Sequence, residues 1–204
     1  MQGKKAFSLL VIVFALIQLG LFLPQQSKSV KHNQSGVTYY NQRKMEKAIK
    51  EFQKAIEINP FYAEAYNNLG AVYLYKEEYK KSIPYLEKAI EVDPTYGFPH
   101  YNLAIALHYL GKDEDAIAEL QQAIRLNPRN FKAYYNLACY YSLLNKIDLA
   151  IENLRLSIEY GYSNWDLIET DSDLDNIRKD PRYKEIIAQR PPTTSEQGGA
   201  FCNL

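Results

Sequence analysis

The 204 residues carry 24 basic and 24 acidic side chains, so nothing pulls the chain as a whole toward nucleic acid, and none is expected as a partner. With 47% hydrophobic residues it has the apolar surface for a packed core and is not a disordered polymer. Its two cysteines, Cys139 and Cys202, exclude a disulfide framework and a cysteine zinc site.

The chain opens with a basic stretch, 1–5, followed by 6–23, which holds no charged residue. As a helix that run would span about 27 Å, close to the roughly 30 Å of a hydrocarbon core. Lys4 and Lys5 precede it, and Lys28 and Lys31 follow. This small bias favours a cytoplasmic N-terminus with the rest of the chain outside. A retained transmembrane signal anchor is the first reading. A cleaved secretory signal, with Ser27 and Ser29 near the cut, is the second, and would leave the chain secreted or periplasmic. A buried soluble helix is the third. No cysteine follows the run to carry a lipid, and Cys202, third from the end, makes no prenylation box.

From Ser29 a pattern recurs every 34 residues, in units 29–62, 63–96, 97–130 and 131–164. The eighth position is always small (Gly36, Gly70, Ala104, Ala138), as is the twentieth (Ala48, Ser82, Ala116, Ala150). The twenty-fourth is always large (Phe52, Leu86, Leu120, Leu154). Small against large lets two helices approach closely and interdigitate. The spacing predicts first helices at 63–76, 97–110 and 131–144, and second helices at 79–92, 113–126 and 147–160. Gly111 and Asn145 fall between them, where a left-handed residue closes a helix. Asn59, Asp93 and Asn127 precede prolines and are expected to cap the following helix. Pro84, inside a second helix, is expected to kink it. The segment 165–190 is expected to form two short helices that cover the end of the stack, and 191–204 a disordered tail.

The period and the positions together resemble the tetratricopeptide repeat family. Its motif has an aromatic at four, Leu-Gly at seven and eight, Tyr at eleven, Ala at twenty, Phe at twenty-four, Ala at twenty-seven and Pro at thirty-two. The second unit matches at Tyr66, Leu69, Gly70, Tyr73, Ala89 and Pro94, with Leu86 for Phe and Ser82 for Ala. The resemblance implies an all-α, right-handed solenoid of helix-turn-helix repeats. It also implies a concave groove lined by the first helix of each unit. The groove residues it points to are Asn67, Asn68 and Tyr75, then Phe98, Tyr101, Asn102, His108 and Tyr109, then Lys132, Tyr135 and Asn136. Asn68, Asn102 and Asn136 recur on one line. They either hydrogen-bond an extended peptide or pair with neighbouring helices. One branch of the family clamps a C-terminal carboxylate. Of that clamp only Asn102 and Lys132 remain, with Ala71, Asn136 and Asn67 in place of an Asn, an Arg and a Lys.

No catalytic constellation stands out. Asp171, Asp173 and Asp175 alternate like the start of a calcium loop, but Asn176 and Arg182 replace its Gly and Glu, so capping and ion pairing are expected. His100 and His108 lie about 12 Å apart along one helix and share no metal. Cys139 has no nearby histidine in sequence. The expectation is a membrane-anchored scaffold without enzyme activity, cofactor or metal, which binds a protein segment and assists assembly of an envelope complex. The alternative is an enzyme accessory or small hydrolase using His108 and a groove carboxylate. Self-association through an open array edge is a further expectation.

Overall fold

A computed structural model describes residues 26–191, and every element among them is helical. The runs 1–5 and 6–23, and the tail from 192, lie outside the described residues. Among the described residues no helix is long and apolar enough to cross a membrane. Contacts divide the chain into two compact units, the first ending at Glu119 and the second starting at Leu120.

In the first unit α1 covers 26–41, and Met45–Ile58 (α2), Ala63–Tyr75 (α3), Tyr79–Val92 (α4) and Gly97–Tyr109 (α5) follow. α6, Asp113–Leu126, carries the chain into the second unit. There Phe131–Leu143 (α7) and Ile147–Glu159 (α8) form the fourth repeat. Trp165–Thr170 (α9), a 3-10 turn at Ser172–Leu174 and Pro181–Ile187 (α10) complete it. The second helices start and stop where the spacing puts them, save α8, which ends at Glu159. The first helices end one residue short. The covering segment has its two short helices plus the 3-10 turn.

Each second helix buries one stripe at helical spacing. In α2 it is Ala48, Phe52 and Ala55; in α4 it is Ser82, Leu86 and Ala89; in α8 it is Ala150, Leu154 and Ser157. The small eighth position is a steric demand. A Cβ at Gly36 would sit 2.5 Å from Phe52 Cε1, and one at Gly70 would sit 2.6 Å from Leu86 Cδ2. α4 runs unbroken through Pro84.

The turns repeat as well. Gly111 and Asn145 are left-handed as expected, with φ of 73° and 57°, but so are Arg43 and Glu77, at 60° and 59°. In each turn the next residue's N–H reaches back five residues, as in Glu78 N–H to the Tyr73 carbonyl at 2.9 Å. That closure satisfies carbonyls the helix end leaves open. The expected capping by Asn59, Asp93 and Asn127 is corrected. Their side chains accept from Phe61, Thr95 and Arg129 N–H two residues on, so they brace the proline turn instead. The cap of α7 is Asn130, which accepts from Ala133 N–H.

Candidate functional site

Within the first unit, α3 packs on α2, α4 and α5, so the first helices of repeats two and three lie side by side. Position six of one repeat then meets position five of the repeat before it. Asn68 Nδ2 donates to Asn33 Oδ1 at 2.9 Å, and Asn102 Nδ2 donates to Asn67 Oδ1 at 2.8 Å. Asn33 in turn donates to Glu64 Oε1 at 2.9 Å and to the Tyr62 hydroxyl at 3.2 Å. The amides therefore pair between helices. Asn33 and Asn67 are buried, while Asn68 and Asn102 are half-buried. A carboxamide has two N–H donors and two acceptor sites, so one rung does not exhaust it.

Above this ladder α1, α2 and α3 leave a hollow of ≈ 240 Å³ lined by Val37, Tyr40, Asn41, Phe52, Asn68 and Ala71. A second hollow of ≈ 180 Å³ shares Tyr40 and Asn41 and adds Arg43, Met45 and Tyr75. Tyr40 and Tyr75 meet edge to face at 5.8 Å. Arg43 lies 4.8 Å over the Tyr75 ring and hydrogen-bonds its hydroxyl. Such contacts hold the two rings in place. Val37, Tyr40 and Asn41 stand at positions nine, twelve and thirteen of the first repeat. The same register that picks out repeats two to four would have found them.

The other expected groove residues are dispersed. In the first unit Tyr75 and Asn68 reach the hollows. Phe98 is exposed beside Tyr96, at 5.5 Å between rings. Tyr109 stacks on Tyr79 at 4.6 Å, Tyr101 is half-buried, and His108 Nδ1 lies 2.7 Å from Asp113 Oδ1. Burial, with Glu64 next in effect, pushes the Tyr96 phenol up to about 12.

In the second unit Lys132 is exposed and Asn136 half-buried, but Tyr135 is turned inward. Its ring stacks on Tyr162 at 4.2 Å, and its hydroxyl donates to Asp171 Oδ2 at 2.7 Å. Burial, then Cys139 and Asp171, drive its phenol far above the usual range. Cys139 Sγ lies 3.7 Å from the same carboxylate, and Asn176 Nδ2 donates to the Ser142 carbonyl at 2.7 Å. Positions five, nine and twelve of repeat four are thus covered by the chain itself. Donor atoms of Cys139, Asp171 and Asp173 fall within 4.8 Å of one another, a spacing that suits a metal ion. Asp171 is already engaged, however, by Tyr135 and by Asp173 N–H at 3.1 Å. Burial also pushes the Cys139 thiol well up, away from the thiolate a metal takes. Asp175 pairs with Arg178 at 2.9 Å. Asp171 thus caps the 3-10 turn and Asp175 forms an ion pair, as expected.

Family models described as tetratricopeptide repeat match at 63–96, 85–118 and 131–160. One described as TPR repeat matches at 36–76 and 106–143. Together they run without a gap from 36 to 160, more than half of the chain. No curated protein matches by sequence. Among solved structures, MamA protein is 21% identical with a TM-score of 0.68, over 87% of this chain and 97% of that one. YrrB, described as a TPR protein with an unusual peptide-binding site, is 22% identical with a TM-score of 0.61, over 78% and 82%. The first TPR of Spaghetti (RPAP3), bound to the HSP90 peptide SRMEEVD, is 21% identical with a TM-score of 0.57, over 58% and 94%. At these identities the likeness is one of fold.

Proposed function

The chain belongs to the tetratricopeptide repeat family, and from that premise we propose a non-enzymatic scaffold that grips an extended protein segment in the hollow of its first two repeats. The observation that carries this reading is the pair of adjoining hollows around Tyr40 and Asn41, floored by Phe52 and edged by the Asn68 amide. Rigid tyrosines supply contact area at low entropy cost, and the amides supply hydrogen bonds to a peptide backbone. YrrB and RPAP3 are neighbours of the same fold whose descriptions name peptide binding. A helix pair of 34 residues has no chemistry of its own, so the family is generally one of scaffolds.

The scaffold is tethered to a membrane through 6–23, with the repeats on the extracytoplasmic side, and it assists assembly of an envelope complex. The charge-free run and the lysines before it support the tether. Hydrolysis is the weaker reading. His108 has its Asp113 partner, but Cys139, the free cysteine among the described residues, is a buried thiol bonded to Asp171.

Photo-cross-linking from Tyr40 in the full chain tests the groove. Capture of one protein, lost in the Tyr40→Ala/Asn68→Ala double variant with its helical circular dichroism unchanged, is the expected result. Capture that survives the double variant refutes the groove. N-terminal sequencing of the mature chain tests the tether, and a start near Ser29 would show cleavage.

A further inference from the structure

The first and third repeats close the crevice between their two helices in the same way. His32 Nδ1 meets Glu51 Oε2 at 2.6 Å, and His100 Nδ1 meets Glu119 Oε2 at 2.6 Å. These are positions four and twenty-three. In the second repeat the same positions are Tyr66 and Tyr85, and the crevice stands open. It forms a cleft of ≈ 570 Å³ on α3 and α4, walled by Tyr66, Tyr73, Tyr85 and Pro84 and rimmed by Lys80, Lys81 and Lys88. Tyr73 and Tyr85 stack at 5.4 Å with 10° between their planes, so the aromatic wall is already in place. Pro84 adds an apolar ring and withholds the amide that would bond the Lys80 carbonyl in the same wall.

No acid lines this cleft. The nearest carboxylates stand outside it. Glu78 pairs with Lys81 and Lys76, and Glu91 pairs with Lys88 at 2.7 Å. Glu87 is exposed on α4. Exposed i,i+3 pairs hold weakly and exchange readily for an incoming anion. Lys80 is exposed and makes no ion pair with a described residue.

We propose that this cleft, between α3 and α4 of repeat two, is a second docking site for an acidic protein segment that presents an aromatic side chain between carboxylates. The flat side chain slides against Tyr66, Tyr85 and Pro84, and the flanking carboxylates take the lysines. Three lysines around one concave cleft suit a single side chain. A bilayer surface would call for a broader cluster of about four to eight basic residues.

The test uses a fluorescein-labelled Glu-Asp-Trp-Glu-Asp peptide and the full-length chain in a mild non-ionic detergent, read by anisotropy. The wild type binds, and Lys80→Glu/Lys88→Glu weakens binding at least tenfold. Tyr66→His/Tyr85→Glu rebuilds the closed crevice of repeats one and three, so it folds and abolishes binding. The groove variant Tyr40→Ala/Asn68→Ala binds as the wild type does, which separates this site from the groove. Absence of wild-type binding overturns the proposal. So does equal binding of the uncharged Gln-Asn-Trp-Gln-Asn peptide or undiminished binding by the closed-crevice variant. Full displacement of the peptide by phosphatidylserine vesicles also overturns it, in favour of a lipid surface.

Discussion

Position nine of the repeat is Val37 in the first compact unit and Cys139 in the second. Val37 is 36% exposed and Cys139 3%. Position twelve is the half-buried Tyr40 in one and the fully buried Ser142 in the other. Helix α3 buries six of its 13 residues, while α7 buries eight of 13. The same helical address is thus an open surface in one unit and an internal seam in the other. What decides is whether the chain lays a further segment over it. At repeat four Asp171 and Asn176 do so, and at repeats one and two no described segment covers the hollow.

The strongest way to break this comparison is to loosen the cover. Ile168 is fully buried, and Ile168→Ala should cost about 3 kcal/mol in the C-terminal unit. Trp165, the single tryptophan, sits in α9 and reports that unit by its emission during urea unfolding. The ligand captured at Tyr40 should still bind. Equal loss of capture would show that the two regions are not independent.

The first unit is sharpened through its amides. Asn67→Ala removes the acceptor of Asn102 Nδ2 and should cost about 1–2 kcal/mol, read as an earlier urea midpoint. Glu77→Gly acts oppositely. Glu77 holds a left-handed φ of 59°, so glycine there should raise stability by about 1 kcal/mol or less. A lower thermal midpoint would mean that the Glu77 side chain matters more than its backbone.

The smallest effect concerns acid. Arg182, by side-chain and backbone hydrogen bonds, holds Asp180 down to about 2 from its ordinary 3.8. The folded value lies below the unfolded one, so this support is present above pH 3.8 and fades as pH falls toward 2. Arg182 also reaches Asp148 on α8 at 2.8 Å, which ties α10 to the fourth repeat. Between pH 4 and 2 the Trp165 emission should shift slightly, and Asp180→Asn should remove that step. An unchanged step in the variant would assign it to other carboxylates.

Much of the fold was legible because a period of 34 constrains every position at once. Small residues at eight and large ones at twenty-four can be read off, and Gly36 against Phe52 is that rule in contact. The candidate site was legible only in part. The register applied to 63–164 names Asn68 and Tyr75 but stops short of Val37, Tyr40 and Asn41 in the irregular first repeat. Position five places Tyr135 in a groove when it is read relative to another repeat or to solvent. Residues 171–176 follow no repeat register, so their hold on Tyr135 carries no periodic signal. Asn59 and Asp93 misled for a local reason. An Asx side chain before proline can cap forward or brace its own turn, and only the turn geometry separates the two.

The amide ladder works as a plug and socket. Each rung sets a donor at position six of one repeat into an acceptor at position five of its predecessor. A tandem duplicate of 63–96 would therefore slot in with both fittings matched, its own Asn68 on the original Asn67 and its Asn67 under Asn102. Adding 33 or 35 residues would leave a fitting unmated. Growth by whole copies of this second repeat keeps every amide mated, and growth by any other length does not.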